Sequence, residues 1–469
     1  MRQAPSSYFL GVPFALFLAQ IHMNQALTTA LGPTTSRAYR CVCGKPLSLR
    51  NSQCLNCHRS LGYDPVTRTM VAIEPATEEG AQDGDWKVVG VDDNAIVHRC
   101  GNLTTASACN WLIPGGTVQE RQVASNLTPG FCLSCSLTRT VPDLSGPVNQ
   151  ELFRRLEIAK RRLVSQLLAL ALPVETRLER PNGIAFDMLE NLPGGPQVLT
   201  GHDEGLITLN IAEADDAQRE KIRAEMHESY RTLLGHFRHE IGHYYWDRLV
   251  KDTTWHMPYR ELFGDESVDY GESLKRHYEN GPPADWPLHY VTSYATTHPW
   301  EDWAETWAHY LHMADTVDTA VSFGIDANSV EIESDPFTRD DLWQPDHPNA
   351  EAFLAFINSW VLLTQVLNEL TRSMGQHDYY PFVLPREAVA KLQFIHEVVR
   401  SASDPQVAVT DLPKTTSADT VTDTSPATVD GSPLPESPAS DVPQIPQTPS
   451  GADSPAPSSI EPAPAAVTT

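Results

Sequence analysis

Apolar residues recur at three- and four-residue steps in "VNQELFRRLEIAKRRLVSQLLALAL", which begins at Val148, and Pro173 closes the run. That period is the signature of a helix with one buried face. It returns in "AEADDAQREKIRAEMHESYRTLLGHFRHEIGHYYWDRLV" (212–250), which reads as two pieces with a break near His227 to Ser229. It returns again in "WEDWAETWAHYLHM" (300–313) and over roughly 349–374 and 385–402. Shorter runs, "WKVVGV" (86–91), "PQVLT" (196–200) and "GLITLNI" (205–211), have strand character. A polar segment punctuated by Gly264, Gly271, Gly281, Pro282 and Pro283 separates the second and third helical stretches. The pattern predicts an α+β protein, mainly helical from 141 to 402, preceded by a small β domain over 38–140.

The two ends depart from this pattern. After about residue 403 no aromatic residue occurs, and 13 of the 37 prolines fall there among Ser, Thr, Ala and Asp. Such a segment cannot bury enough apolar area to offset its ordering entropy, which predicts a disordered tail over 403–469. Residues 1–37 read as a leader outside the folded part. Its apolar run "YFLGVPFALFLAQI" (8–21) is too short to span a bilayer and is interrupted by Pro13. No small-x-small cleavage site follows closely, so a cytoplasmic protein without a transmembrane segment is expected. Export with residues 1–30 as a signal peptide is the alternative.

At 469 residues the chain exceeds one ordinary core. Its net charge of -26 argues against general nucleic-acid binding, which needs basic surface. All eight cysteines fall in the β segment, as two sets of four. Cys41, Cys43, Cys54 and Cys57 form the first; Cys100, Cys109, Cys132 and Cys135 form the second. Two pairs separated by a loop let four thiolates converge on zinc, so up to two structural Zn2+ sites are expected. Disulfides would require the exported alternative. The segment carries nine Lys/Arg against nine Asp/Glu, and thiolate sites would leave it acidic. A structural or protein-binding role therefore fits it better than nucleic-acid reading.

The stretch "LLGHFRHEIGHYYWDRL" places His239 and His243 one turn apart on a single helix face, where both imidazoles reach one metal ion. Glu240 stands beside that face, able to take a proton from a metal-bound water whose pKa zinc lowers to about 7. Phe237, Ile241, Tyr244 and Tyr245 recur at core spacing. Buried helices rarely carry such polar groups without partners, because uncompensated burial is costly. His236, three residues before His239, fits packing or substrate contact better than ligation. Downstream, Trp300, Trp303, Trp307 and Leu311 form an apolar stripe, while Glu301, Glu305 and His309 line another face. His298 and Pro299 read as the entry cap of that helix, and Asp265 and Glu266 as solvated or capping carboxylates.

With "HEIGH", "EDWAE" and the cysteine sets in view, the chain resembles the zinc-ribbon-containing zinc metallopeptidases of bacteria over roughly 38–400. It is similar to the gluzincins of the Mlc-titration-factor and lethal-factor-like branch. The resemblance implies a zincin-like metallopeptidase domain with one catalytic Zn2+ on His239, His243 and Glu301. It implies Glu240 as general base and Tyr294, seven residues before Glu301, as oxyanion donor. Glu305 is then expected to orient a ligating histidine, although it could replace Glu301 as ligand. In zincins an edge strand over the cleft pairs with extended substrate, and "GLITLNI" is the candidate. A peptide or protein is the expected substrate, and the ribbons or tail could hold a protein partner. The competing reading is a catalytically silent, zinc-stabilised adaptor, which would have no need of Glu240 or Tyr294.

Overall fold

Five antiparallel strands form the first sheet in a computed structural model of the chain, which describes residues 36–77, 82–91, 96–115, 126–225, 228 and 230–403. They are β1 (Ser60–Asp64), β2 (Thr69–Pro75), β3 (Asp85–Val88), β4 (Ile96–Arg99) and β5 (Leu112–Pro114), paired in chain order. "WKVVGV" supplies β3. A glycine stands at the centre of β1 because a Cβ on Gly62 would lie 2.5 Å from Leu112 Cδ2 and 3.0 Å from Asn110 O. The fully buried Trp111 packs its ring 4.5 Å from that of Tyr63.

A one-turn helix, α1 (Leu133–Ser136), and β6 (Thr138–Thr140) lead to the long α2 (Pro147–Ala169), with proline at its first position as helix starts favour. Next come β7 (Ala185–Leu189), β8 (Gly201–Asp203) and β9 (Leu206–Asn210). The second sheet has the order β6-β7-β9-β8; β7 is parallel to its neighbours and β8 antiparallel to β9. Two sequence expectations are corrected here. "GLITLNI" forms β9, but β9 is internal and β8 takes the edge beside it. The reason is the turn between them: Glu204 and Gly205 both have positive φ (42° and 81°), which folds a tight two-residue hairpin. "PQVLT" also stops short of strand structure, which begins only at Gly201.

The helical body follows as α3 (Asp216–Glu225), α4 (Leu233–Tyr245), α5 (His256–Phe263), α6 (Tyr270–Asn280), α7 (Pro299–Ser322), α8 (Ala350–Ser373) and α9 (Arg386–Ser403). The expected break between α3 and α4 is present, although His227 and Ser229 lie outside the described residues. One π-helical turn, Trp246–Val250, extends α4. The polar segment hides α5 and α6, each stopped by a glycine with positive φ, Gly264 at 103° and Gly281 at 72°. The central member is α7, whose Trp303, Trp307 and Leu311 are fully buried. Ala350, Phe353, Phe356, Ile357 and Trp360 of α8 are buried too. By length and composition α8 could cross a membrane, yet half of its most apolar window is buried inside the protein.

Both sheets and most of the helices contribute to one hydrophobic cluster running from Tyr39 to Val399, and Ile73, Val97 and Leu112 of the first sheet form a second, small one. Buried polar contacts tie the cysteine-bearing segment to α2: Ser107 Oγ donates to Glu157 (2.9 Å), and Arg161 donates to Ser107 O (2.9 Å). Arg37, the last residue of the expected leader, is also buried and pairs with Asp315 and Asp318 on α7 at 3.2 Å each. Residues 1–35 of that leader and the Pro-rich tail beyond Ser403 lie outside the described residues.

Candidate metal centre

The eight cysteines carry no disulfide. In each set the four sulfurs lie within 4.8 Å of one another. Cys41 and Cys57 approach to 3.5 Å, Cys43 and Cys54 to 3.7 Å, and Cys109 and Cys132 to 3.6 Å. A tetrahedron with metal–sulfur bonds of about 2.3 Å has edges of about 3.8 Å, so both sets fit a zinc ion. The second set is fully buried, whereas Cys43 of the first is exposed.

The histidine cluster is built by two crossing helices. Thr232 caps α4 by accepting from Gly235 N (3.0 Å), and the helix then delivers His239 and His243 to one side. His298 caps α7 through Trp300 N (3.1 Å), as its position before Pro299 suggests, and α7 delivers Glu301 and Glu305. The crossing is close because Gly242 has no side chain; a Cβ there would sit 3.2 Å from Ala304 Cα and Trp307 Cδ1. Trp303 Nε1 donates to Gly242 O (2.8 Å) and locks the pair.

One ligand atom from each of His239, His243 and Glu301 falls within 4.8 Å of the others. His239 Nε2 lies 3.0 Å from Glu301 Oε2, and His243 Nε2 lies 3.6 Å from Glu301 Oε1. The 3.0 Å approach lacks hydrogen-bond alignment, and Glu301 Oε2 is buried without a hydrogen-bond partner. A carboxylate with one unsatisfied buried oxygen, whose two oxygens each approach an imidazole nitrogen, is the donor set a zinc ion would complete. Burial pushes the Glu301 carboxyl up, but the charges of His243 and His239 outweigh it and hold the group well below its ordinary value.

Glu305 grips the other nitrogen of the same ring: His239 Nδ1 stands 2.7 Å from its Oε1, while Thr292 Oγ1 donates to its Oε2 (2.7 Å). Glu240 is buried, which raises its pKa. Tyr294, in a 3-10 turn, places its ring 6.1 Å from that of His239. Burial and then the Glu301 charge push its phenol well above the ordinary value, so it stays protonated. His236 turns away and pairs with Glu213. Asp265 accepts from Ser267 (2.7 Å) and is exposed, whereas Glu266 pairs with His256 (2.8 Å) and Arg260. His309 bonds Tyr380 instead of joining the cluster.

Two neighbours were not singled out from the sequence. Tyr270, at the start of α6, donates to Glu301 Oε1 (2.9 Å). His202, on β8, lies with its ring 6.1 Å from that of His243 and 6.2 Å from that of Trp300. Its Nε2 accepts from Gly205 N (3.0 Å), and burial lowers its pKa to about 3, so the ring is neutral.

Comparison with known proteins agrees with this geometry. The family model described as "Putative zinc-binding metallo-peptidase" matches residues 149–398, more than half of the chain. The chain belongs to this family. A zinc-ribbon domain model matches residues 38–146 of this metallopeptidase-family protein, the segment that holds both cysteine sets. Uncharacterized proteins of Mycobacterium bovis and Mycobacterium tuberculosis are 42% identical to it over 366 residues, covering 77% of this chain and 95% of each relative. No solved structure matches it.

Proposed function

We propose that the protein is a zinc-dependent peptidase of gluzincin type, with His239, His243 and Glu301 as the ligands of one catalytic ion. The observation that carries this reading is the division of labour around His239. Its Nε2 faces the ligand carboxylate of Glu301, and its Nδ1 is held by Glu305. A structural site has no need of the buried Glu240 beside such a cluster. Zinc bound there would polarise the scissile carbonyl and make a water nucleophilic near neutral pH.

The chain's own residues would supply the rest. Glu240 accepts the proton of the attacking water and returns it to the leaving amine. Tyr294, kept protonated, donates to the developing oxyanion. Tyr270 positions Glu301 through its 2.9 Å hydrogen bond. The outer strand β8 carries His202 to the His243 ring, so its free edge is the place for an extended peptide to pair. The two cysteine sets would each hold a structural zinc.

Mild chelation tests this reading. A three-residue site with an open position should release its ion before closed four-thiolate sites do. Cleavage of a peptide library should vanish as about one zinc per chain is lost, with little unfolding. Cleavage that persists after that ion has gone would refute the proposal.

A further inference from the structure

A cavity of about 260 Å³ opens between α2, α4 and α7, away from the ligand faces of the two crossing helices. Charge is unbalanced on its floor. Three guanidiniums converge on Asp315: Arg37 at 3.2 Å, Arg162 at 2.8 Å and Arg238 at 2.9 Å. Only one further carboxylate joins this network among the described residues, Asp318 on Arg37 (3.2 Å). Three positive charges against two negative leave one in excess. Arg37, Arg238, Asp315 and Asp318 are buried, and only Arg162 is partly open to the cavity. The charge in excess is therefore the one that Arg162 presents to the cavity.

The donors on the cavity wall have the matching chemistry. Arg238 is satisfied by Gln166, Asp315 and His312. Arg162 spends Nε and Nη2 on Asp315 and Thr319, which leaves Nη1 without a protein acceptor among the described residues. Arg238 can only donate to His312 Nδ1, so the proton of that imidazole, itself part of the cavity lining, sits on Nε2. Thr316 adds a hydroxyl, and Tyr230 and Tyr379 add aromatic flanks. We propose that this cavity, lined by Arg162 with its free Nη1, by His312 with its protonated Nε2 and by an uncompensated positive charge, binds a small organic anion carrying one carboxylate or phosphate group. Its volume lies just below the usual range of small-molecule pockets and suits a ligand of amino-acid size. Arginine is the residue suited to such groups because its planar fork pairs with their oxygens. The site does not rest on the peptidase reading.

The test uses the full-length, zinc-loaded protein at constant ionic strength in chloride buffer. Inorganic phosphate and N-acetylglycine are the two probes, followed by calorimetric titration and thermal melting. At least one should bind saturably, one per chain, and raise Tm by at least about 4 °C at a hundredfold excess over Kd. Binding of phosphate alone assigns a phosphate ligand, and binding of N-acetylglycine alone assigns a carboxylate. Arg162→Gln brings the net charge to zero and should weaken binding at least about tenfold. Thr316→Leu fills the cavity without touching charge and should block binding, which keeps the test decisive if Arg162→Gln melts early. Absence of saturable binding by both probes, or wild-type affinity in both variants, would overturn the proposal.

Discussion

Replacing Glu305 separates a group that touches the ion from one that only holds a ligand. In the structure Glu305 makes two short bonds, to His239 Nδ1 and to Thr292 Oγ1, both 2.7 Å. Thr292 Oγ1 in turn accepts from Ala295 N (3.1 Å), in the turn that carries Tyr294. One carboxylate thus fixes the tautomer of His239 and steadies the Tyr294 turn. A hydrogen bond to a charged group contributes about 1.5–3 kcal/mol, and the part expressed in metal binding is the difference between bound and free protein. At about 1.4 kcal/mol per decade this predicts a loss of roughly 10- to 100-fold in zinc affinity for Glu305→Ala, in line with other residues behind metal ligands. Glu305→Gln keeps an acceptor for His239 but not the charge, and should fall near the lower figure of about tenfold. Competition against a chromophoric chelator measures both, with Glu301→Ala expected to lose the ion outright. Affinity within about threefold of wild type in Glu305→Ala would refute the positioning role. Loss of the ion in Glu305→Ala but not in Glu301→Ala would move the ligand one turn along α7.

Two further outcomes are expected. Tyr294→Phe should lower kcat by roughly 10²-fold with KM nearly unchanged, as removal of an oxyanion donor does; an unchanged kcat would return Tyr294 to a packing role. Lys391→Met should destabilise the protein by about 3–5 kcal/mol, because it strands the buried Asp302 carboxylate 2.7 Å from the lost ammonium. The double variant with Asp302→Asn should recover most of that loss in a denaturant titration, and a single-variant cost below about 1 kcal/mol would show that the pair is not structural.

What could be read from the sequence was what a single helix or a local spacing encodes. The helices α2, α4, α7, α8 and α9 follow the 3.6-residue period because each buries one stripe against the core. His239 and His243 were legible because a step of four on one helix is enough to bring them together. The two cysteine sets were legible because close pairs of thiols across a loop have few other uses. What escaped depended on distant partners. Tyr270 touches Glu301 across 31 positions of sequence, in a helix hidden among glycines and polar residues. His202 gains its place only because the Glu204–Gly205 turn folds β8 back on β9, the same turn that makes β8 and not "GLITLNI" the outer strand. Arg37 lies at the end of a leader-like segment, and its burial is set by Asp315 and Asp318, far along the chain on α7.

Glu240 as the base of a zinc peptidase predicts a clean separation of cleavage from metal binding. Wild type and Glu240→Gln, both loaded with zinc to the same content, are assayed side by side on a peptide library. The substitution removes the proton acceptor but none of the three ligand groups, so metal content and Tm should match wild type while cleavage falls by at least about 10²-fold, the minimum expected of a positioned base. Cleavage by Glu240→Gln within a few-fold of wild type, at equal zinc content, would exclude Glu240 as the base.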